Sequence, residues 1–305
     1  MSTKSAVTVE GKTIPVSNLE KVLYPAVGFT KGQIIDYYAR IAPVLLPHLK
    51  DRPLTLKRYP NGVDREFFYE KRCPSHRPRW VKTAHIWSEG TNDYVDYCLA
   101  NDLATLIWAA NLADIELHTS LAKHQNRERP TVMVFDLDPG APATIVECAT
   151  VAFWLKEIFD AFALQVFAKT SGSKGLQLYV PLNTTVTYDK TKPFAQSLAQ
   201  RLEREHPREV VSRMQKNLRA GKVFIDWSQN DSHKTTVCAY SLRAKERPTV
   251  STPVTWDEVA AAQKKKDPKL LAFTSEDALK RVEKRGDLFE PVLQLKQKLP
   301  KLPMA

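Results

Sequence analysis

The middle of the chain carries the clearest alternation of hydrophobic and polar positions. Residues 131–138 (TVMVFDLD) are typical of a buried strand, and residues 144–162 have the apolar density of a helix. Residues 164–169 (LQVFAK) and 176–181 (LQLYVP) follow a two-residue period and predict two more strands. The short glycine-containing segment between them is typical of a turn, so these two strands are expected to form a hairpin.

Helical spacing returns after this hairpin. Apolar residues recur every four positions over about 190–206 and predict a helix, with another extending to Leu218. Residues 222–227 (KVFIDW) predict a final strand. The resulting order, β-α-β-β-α-β, is that of the ferredoxin-like or RRM-like fold, which is also the palm of many nucleotide polymerases. This order predicts an α+β protein and leaves its function open.

The first fifty residues predict two further helices. Ser17 is a candidate cap before a short apolar pattern in SNLEKVLYP, and Thr30 is a candidate cap before the helical pattern of TKGQIIDYYARIAPVLLPHL. The chain shows no internal repeat and no flexible linker. We therefore expect a single domain in which helices and additional strands flank the βαββαβ core.

Charge narrows the class of partner. The 305 residues include 45 Lys and Arg against 34 Asp and Glu, a net charge of +11, which points to a polyanion such as nucleic acid. No apolar run approaches the roughly 18 residues that span a bilayer, and the N-terminus lacks an apolar signal core, which argues against membrane insertion and secretion. Four cysteines without paired spacing predict neither a disulfide framework nor a zinc site and favour a reducing cytoplasm: Cys73, Cys98, Cys148 and Cys238.

Candidate chemistry begins with aspartates at strand ends. Asp136 and Asp138 are two residues apart on one strand, so both carboxylates point to the same side of the sheet. Two adjacent carboxylates repel each other unless a cation neutralises them, and their hard oxygen atoms suit Mg²⁺ or Mn²⁺. Asp226 ends the last strand of the core and completes the set if that strand lies near the first. The alternative is that strand-end aspartates merely begin turns, and for an isolated DxD pattern that alternative is favoured.

Basic and glycine-rich segments surround these acids. The TSGSKG turn brings backbone N–H groups and Lys174 within reach of phosphates, or is an ordinary hairpin with a solvated lysine; it lacks the spacing of a P-loop. Arg243 offers a planar donor fork suited to a triphosphate, or is a surface arginine. Seven basic residues against three acidic ones in 201–222 suit a phosphate backbone, although a solvated helix face is the simpler interpretation.

Eight ordered motifs carry a family resemblance. They are KVLYP, KRYPNG, FFYEK, DYCLANDLATLIWAANLADIELH, FDLDPG, TSGSKGLQLYVPL, AGKVFIDWSQND and KTTVCAYSLR. In this order, over about residues 14–290, they resemble the polymerase domain of bacterial DNA ligase D, a member of the archaeo-eukaryotic primase superfamily. The resemblance implies a primase-type fold and one primase-polymerase domain over 1–305. Within it we expect an N-terminal helical part (about 14–50), a catalytic core (about 51–245) and a C-terminal helical part (about 246–305).

The resemblance also implies a function. It is a template-directed nucleotidyltransferase of bacterial non-homologous end joining that fills gaps and extends 3′ ends, often with ribonucleotides, using two Mn²⁺ or Mg²⁺ ions. Its expected partners are nucleoside triphosphates and DNA with 5′-phosphorylated gaps or double-strand break ends, with Ku and a DNA ligase as further candidates. The chain has no KxDG motif, so it is expected to seal no breaks by itself. A location in the cytoplasm, at the nucleoid, follows.

Matching positions imply three groups of site residues. The metal-binding and catalytic acids are Asp136, Asp138 and Asp226. The nucleotide-binding residues are Ser171, Lys174, Gln177, Arg243 and His118. The DNA-binding residues are Lys21 and Lys31 for a 5′-phosphate, Phe68 and Tyr69 against template bases, and Lys57, Arg58, Lys216 and Arg219. Simpler alternatives stay open: His118 as a hydrogen-bonded core histidine, solvated lysines, and a FFY run in the core.

One position departs from the family pattern. Where the family has histidine after the glycine-lysine turn, this chain has Gln177, which cannot carry the positive charge of an imidazolium. We therefore expect reduced affinity for nucleotide rather than an inactive enzyme. The substitution Gln177→His should lower the Michaelis constant for nucleotide in a primer-extension assay, and an unchanged constant would contradict this interpretation.

Two other classes of function compete with polymerisation. A non-catalytic module that binds DNA ends by their 5′-phosphate would use the +11 charge and the same lysines, but the intact set of three aspartates argues against it. A DxD glycosyltransferase would also use a metal-bound nucleotide diphosphate, but it gives no reason for the basic excess. The end-binding module should bind gapped DNA without metal, and the glycosyltransferase should not bind DNA.

Overall fold

The computed structural model describes residues 4–90 and 92–300, which form two compact units. The first unit comprises the chain up to Ser120 together with Thr235–Ser251 and Phe273–Gly286. The second comprises Leu121–Lys234, Thr252–Ala272 and the chain from Asp287 onward. Each unit is assembled from separated stretches of sequence. The single domain over 1–305 and its three parts stay predictions.

The secondary structure alternates strands and helices over the described residues. The strands are β1 (Lys4–Val9), β2 (Lys12–Ser17), β3 (Val22–Tyr24), β4 (Phe29–Thr30), β5 (Leu54–Arg58), β6 (Phe68–Glu70), β7 (Thr83–Ser88), β8 (Asp93–Cys98), β9 (Asp114–Thr119), β10 (Val132–Pro139), β11 (Phe167–Thr170), β12 (Leu176–Pro181), β13 (Val210–Val211), β14 (Val223–Asp226), β15 (Thr236–Val237), β16 (Leu242–Ala244), β17 (Pro248–Val250) and β18 (Pro253–Val254). The α-helices are α1 (Lys31–Leu49), α2 (Leu103–Asn111), α3 (Ile145–Ala161), α4 (Tyr188–Glu205), α5 (Trp256–Lys265), α6 (Ser275–Arg285) and α7 (Glu290–Gln294).

The second unit contains the predicted βαββαβ core. Its sheet has the order β13-β14-β10-β12-β11-β18, in which β14, β10, β12 and β11 are antiparallel to one another and β13 is parallel to β14. Helix α3 connects β10 to β11, and α4 lies between β12 and β14 in the chain. This is the strand order of the ferredoxin-like fold, so the prediction of an α+β, RRM-like core is confirmed, as is the hairpin of β11 and β12.

Alternation along β10 separates a helix-covered face of this sheet from the face that carries the acids. Phe135 is fully buried and packs on Phe159 of α3, with 5.5 Å between ring centroids. Burying side chains of this size stabilises the fold by about 1.5 to 3 kcal/mol each. Since successive side chains of a strand point to opposite faces, Asp136 and Asp138 lie on the face away from α3.

The first unit is organised around a second sheet, β15-β9-β5-β8-β7, with β6 paired to β5. Smaller antiparallel pairs are β1-β2, β3-β4 and β16-β17. Helix α1 begins as predicted, because the Thr30 hydroxyl accepts from the Gln33 amide and the Gln33 side chain accepts from the Thr30 amide, which satisfies two free N–H groups. The buried face of α1 includes Ile34, Tyr38 and Ile41.

Two predicted helices are wrong. Residues 17–24 form the end of β2, a turn and β3, because Asn18 adopts a left-handed conformation with φ 53° and the Lys21 amide donates to the Asn18 carbonyl. Only the second helix predicted for residues 14–50 therefore forms. The helix expected up to Leu218 is replaced by β13 and a short 3-10 turn, because Pro207 disfavours helical backbone at the residue before it and α4 ends at Glu205.

The cysteine prediction is also wrong. Cys73 and Cys98 form a disulfide across 25 residues of sequence, while Cys148 and Cys238 are buried and belong to no disulfide. The tertiary fold brings together two cysteines whose spacing in sequence gives no sign of pairing. As for membranes, none of the helices among the described residues has the length and apolar character required to cross one.

Candidate active site and nucleic-acid contacts

Three aspartates lie on two neighbouring strands of the second unit's sheet. Asp136 on β10 is directly opposite Asp226 on β14, so the register that sequence could not supply places these two carboxylates on neighbouring strands. Asp138 is two residues further along β10 and shares the face of Asp136. Asp226 also caps the following 3-10 turn: its Oδ1 accepts from the amide and hydroxyl of Ser228 at 3.0 and 2.6 Å, and its Oδ2 accepts from Gln229 at 2.8 Å.

The electrostatics of these acids fit a cation. Burial, followed by the charge of Asp138, raises the pKa of Asp136 to about 7, and Asp226 acts in the same direction. Such crowding of negative charge is what a divalent ion relieves, and carboxylate oxygens are its preferred ligands. Within residues 4–90 and 92–300, no three His, Cys, Asp or Glu side chains lie close enough together to coordinate one metal ion as they stand. A carboxylate oxygen has more than one lone pair, so Asp226 can keep its bonds to Ser228 and Gln229 and still ligate a metal.

The TSGSKG turn lies beside the end of β10. The Ser171 hydroxyl accepts from the amides of Ser173 and Gly175 at 3.2 and 3.1 Å, which holds the turn closed. A Cβ at Gly175 would lie 2.3 Å from the Leu137 carbonyl oxygen, so only glycine permits this approach. Lys174 is exposed at the tip. The turn is therefore an organised hairpin next to the aspartates, with its ammonium available to solvent-borne anions.

Gln177 is held between two strands. It lies directly opposite Asp136 on β10 and directly opposite Lys169 on β11. Lys169 is fully buried, and its Nζ donates to the Gln177 Oε1 at 2.5 Å. A hydrogen bond from the Gln177 side chain lowers the pKa of Asp136, against the larger effect of burial. Gln177 therefore contacts Asp136 and Lys169, and its role in binding nucleotide stays a prediction.

In the first unit, Glu116 on β9 gathers three of the predicted site residues. Its carboxylate is 1% exposed and lies 3.3 Å from Lys57 Nζ, 3.0 Å from His118 Nε2 and 3.3 Å from Arg243 Nε. The Ala244 amide donates to its other oxygen at 3.0 Å. Despite burial, these partners hold the pKa of Glu116 well below its ordinary value. Burial lowers the pKa of His118, and the neighbouring carboxylate opposes that shift.

Lys21 and Lys31 lie close together at the start of α1. The Lys31 amide donates to the Lys21 carbonyl at 2.9 Å, and Lys21 Nζ donates to Asn61 at 3.3 Å. Lys31 is only 6% exposed, and burial followed by the charge of Lys21 lowers its pKa to about 8. The N-terminus of a helix also attracts anions. This lysine pair, Lys21 and Lys31, is thus an environment in which an anion would relieve the repulsion between two cations.

The aromatic run lies on the surface rather than in the core. Phe67, Phe68 and Tyr69 are 51, 52 and 48% exposed, so the alternative of a buried FFY run is wrong. Their neighbour Arg58 is occupied: its Nη1 donates to both Glu70 oxygens at 3.0 and 2.8 Å. Phe68 and Tyr69 therefore present ring surface to solvent, whereas the Arg58 guanidinium is engaged within the unit.

The basic segment 201–222 is only partly free. Arg201 pairs with Glu205 at 2.7 Å and Arg213 with Glu203 at 3.0 Å, which accounts for two of its seven positive charges. Arg219 stacks its guanidinium 3.7 Å from the Phe224 ring centroid, and its backbone lies so close to Gly140 that a Cβ there would come within 1.8 Å of the Arg219 carbonyl. Lys216 is exposed.

Sequence reasoning missed Glu116 and Lys169. Each is a charged residue inside an otherwise apolar strand, in DIELHT and FAKT. A charge in such a position is rarely buried unless it is paired. That signal was present in the sequence, but of the partners only His118 lies on the same strand, whereas Lys57, Arg243 and Gln177 lie on other strands.

Comparisons with known proteins agree with this arrangement. The profile of the LigD primase-polymerase domain matches residues 30–289. The multifunctional non-homologous end joining protein LigD of Mycolicibacterium smegmatis is 40% identical over 282 residues, covering 92% of this chain and 36% of that protein. The bifunctional LigD of Bacillus subtilis is 33% identical, covering 88% of this chain and 42% of that protein. A solved structure, the polymerase domain of Mycobacterium tuberculosis ligase D in complex with DNA, aligns with a TM-score of 0.84 and 39% identity over 91% of this chain and 97% of that one.

The ferredoxin-like core with its strand-end aspartates is a fold of the archaeo-eukaryotic primase type. The chain belongs to the LigD primase-polymerase domain family. It spans only 36 to 42% of the length of the two relatives named above.

Proposed function

We propose that this chain is a metal-dependent, template-directed nucleotidyltransferase that fills gaps and extends 3′ ends in bacterial non-homologous end joining. The observation that carries the proposal is the placement of Asp136, Asp138 and Asp226 on adjacent strands of a primase-type sheet. The names of the relatives support the pathway, and the DNA bound in the solved neighbour supports the class of substrate.

The three aspartates would hold two divalent ions, Mn²⁺ or Mg²⁺. When bound, these ions would activate the primer 3′-hydroxyl and neutralise charge on the transferred phosphate and the leaving pyrophosphate. The chain's own part is to keep the carboxylates fixed before substrate arrives, so that little reorganisation accompanies the reaction. Asp226 is already fixed by Ser228 and Gln229, and Asp136 by Gln177.

Nucleoside triphosphate would be bound by the residues that the family resemblance implies for it. Ser171 closes the turn that exposes Lys174 at its tip, and the Lys174 ammonium is suited to phosphate oxygens. Arg243 and His118 are both held by Glu116, which would fix their positions for binding the nucleotide. A preference for ribonucleotides is part of the proposal and rests on the family resemblance alone.

DNA would be bound through its backbone and its bases. The lysine pair would bind the 5′-phosphate across a gap, and Lys57, Arg58, Lys216 and Arg219 would contribute to phosphate contacts. For Lys57 and Arg58 these contacts would replace their present pairs with Glu116 and Glu70. Phe68 and Tyr69 expose rings on which bases can stack without regard to sequence, as joining of arbitrary ends requires. Ku and a DNA ligase are the proposed protein partners, and the cytoplasm, at the nucleoid, is the proposed location.

Affinity for a 5′-phosphate should depend on pH through Lys31. Its pKa is lowered to about 8, so the Lys31 side chain loses its proton and its positive charge as the pH rises through 8. The electrostatic attraction between Lys31 and the phosphate is lost at the same time. We expect binding of 5′-phosphorylated DNA to weaken about tenfold between pH 7 and pH 9, the worth of one charged hydrogen bond. Fluorescence anisotropy with 5′-phosphorylated and 5′-hydroxyl duplexes measures this directly.

The matched control uses the other end of the same helix. Lys31→Met should remove both the preference for 5′-phosphate and its pH dependence, whereas Lys50→Met, at the exposed C-terminal cap of α1, should change neither. A preference for 5′-phosphate that survives in Lys31→Met would show that the lysine pair is not the phosphate site.

Extension of a labelled primer across a short 5′-phosphorylated gap tests the proposed function. With Mn²⁺ and either ribo- or deoxyribonucleotides, the chain should add nucleotides complementary to the template and add none when the ion is chelated. Tight binding of the gap without any addition would instead support the non-catalytic end-binding module. Turnover of sugar nucleotides without any binding of DNA would support a glycosyltransferase.

A further inference from the structure

Four side chains form one row across the sheet of the second unit. Lys169 on β11 is opposite Gln177 on β12, Gln177 is opposite Asp136 on β10, and Asp136 is opposite Asp226 on β14. Residues directly opposite each other on neighbouring strands share a face of the sheet. The row therefore runs, without interruption, from a lysine to two of the acids proposed to bind metal.

Burying the Lys169 ammonium at this position is unfavourable for the stability of the fold. Its side chain is fully buried, and moving an ammonium out of water carries a penalty of several kcal/mol that only good partners offset. Two of its neighbours are neutral, the Gln177 amide oxygen at 2.5 Å and the Tyr179 ring at 5.3 Å. Its charge also interacts favourably with Asp136. A buried cation that serves only the stability of the fold would be replaced at little loss by an apolar side chain.

The direction of the Gln177 amide follows from this contact. An amide group can present either its oxygen or its NH₂ group to a neighbour, and its partners decide which. An ammonium has only donors, so Lys169 can meet only the amide oxygen. The NH₂ group is thereby directed to the opposite strand, where the Gln177 side chain hydrogen-bonds the Asp136 carboxylate.

We propose that Lys169 is a positioning residue for the metal site, which acts by fixing the Gln177 amide so that it donates to Asp136 and orients that carboxylate for a divalent ion. The inference rests on the proposed function for its metal and extends it to a residue outside the predicted site. Hydrogen-bond partners that orient metal ligands are each worth about 10- to 100-fold in metal affinity.

The sign of the effect separates this role from simple electrostatics. Removing a nearby cation would strengthen the binding of Mn²⁺ if the charge of Lys169 acted only through space. Removing a positioning residue weakens it. We expect Lys169→Met to weaken Mn²⁺ binding about 10- to 100-fold, measured without DNA or nucleotide by the electron paramagnetic resonance signal of free Mn²⁺ up to several millimolar.

A double substitution protects the test against a variant that does not fold. Lys169→Met with Gln177→Met removes both partners, so no buried donor or acceptor of this pair is left without its bond. Because Lys169 acts through Gln177, this double variant should bind Mn²⁺ as weakly as Gln177→Met alone, and the two effects should not add. Lys156→Met, which removes a lysine that pairs with Asp160 on α3, is the control and should bind Mn²⁺ normally.

The outcomes are distinct from those of the primer-extension test. Unchanged or tighter Mn²⁺ binding in the double variant overturns the role of Lys169, even if the unsubstituted chain extends primers. Absence of any Mn²⁺ binding by the unsubstituted chain also overturns it. Weakened Mn²⁺ binding in Lys169→Met with an unchanged thermal unfolding midpoint, and no further weakening when Lys169→Met is added to Gln177→Met, supports the role of Lys169, even if no primer is extended and the proposed function fails.

Discussion

Replacing Asp136 and Asp138 together by alanine is expected to abolish templated nucleotide addition, with a loss of about 10³-fold or more. Metal ions contribute several kcal/mol to reactions of this type, and each 1.36 kcal/mol is about tenfold in rate. The two carboxylates share one side of β10, and no nearby oxygen ligand on that strand replaces them. The measurement is extension of a labelled primer across a 5′-phosphorylated gap with Mn²⁺.

The same variant should still bind the gapped DNA, because the lysine pair belongs to the other compact unit. Asp160→Ala is the matched control, since Asp160 on α3 pairs only at the surface with Lys156 among the contacts described, and it should extend primers normally. Nucleotide addition at the normal rate by the double variant would show that these acids do not hold the reacting metal. Loss of folding can be recognised by the thermal unfolding midpoint.

Replacing Glu116 by glutamine should destabilise the protein by about 3 kcal/mol, the lower end of the cost of breaking a buried ion pair. The lower end applies because the side chains of Lys57, His118 and Arg243 are 14 to 19% exposed, so solvent partly screens their charges. Urea unfolding at pH 7 measures the difference. Glu276→Gln, which removes an exposed pair with Lys280, should change the free energy of unfolding by less than about 1 kcal/mol.

The destabilisation caused by Glu116→Gln should become smaller at acidic pH. The pKa of Glu116 is depressed in the folded state, so its contribution is fully present above its ordinary pKa of 4.5 and is lost as the pH falls below that value. The stability difference between the unsubstituted chain and Glu116→Gln should therefore narrow between pH 5 and pH 3. A constant difference over that range would mean that Glu116 acts by its hydrogen bonds and not by its charge.

Glu116→Gln should also alter the site that it organises. With the carboxylate removed, nothing opposes the effect of burial on His118, so the pKa of its imidazole should fall further. NMR titration of the histidine resonances reports that shift. A rise in the Michaelis constant for nucleotide, measured at a temperature at which Glu116→Gln is still fully folded, would further identify Glu116 as a positioning residue for Arg243 and His118.

The core of the fold was predictable because its signals are local. The strands β10, β11, β12 and β14 and the helices α3 and α4 each carry a clear period of hydrophobic positions, and the Thr30 capping box marks the start of α1. The predictions that are wrong depended on weaker signals. A left-handed Asn18 overrode a short helical pattern, and Pro207 stopped α4 before the expected second helix.

The candidate site divides in the same way. Asp136 and Asp138 could be paired from sequence because two residues separate them on one strand, and strand geometry then fixes their common side. Their relation to Asp226 required the register of β10 and β14, which no local pattern encodes. The disulfide of Cys73 and Cys98 and the contacts of Glu116 depended in the same way on neighbours from other strands.

The sequence by itself determined the strands and helices of the βαββαβ core, the family motifs and the chemical types of the site residues, since these follow from periodicity and residue identity along one strand, helix or turn. Only the tertiary structure decided which charges are buried and what they contact. Glu116 and Lys169 became visible as organising residues once strand pairing placed them against Arg243 and Gln177. The physical reason is that the free energy of a buried charge is set by neighbours that are distant in sequence, which a single strand cannot specify.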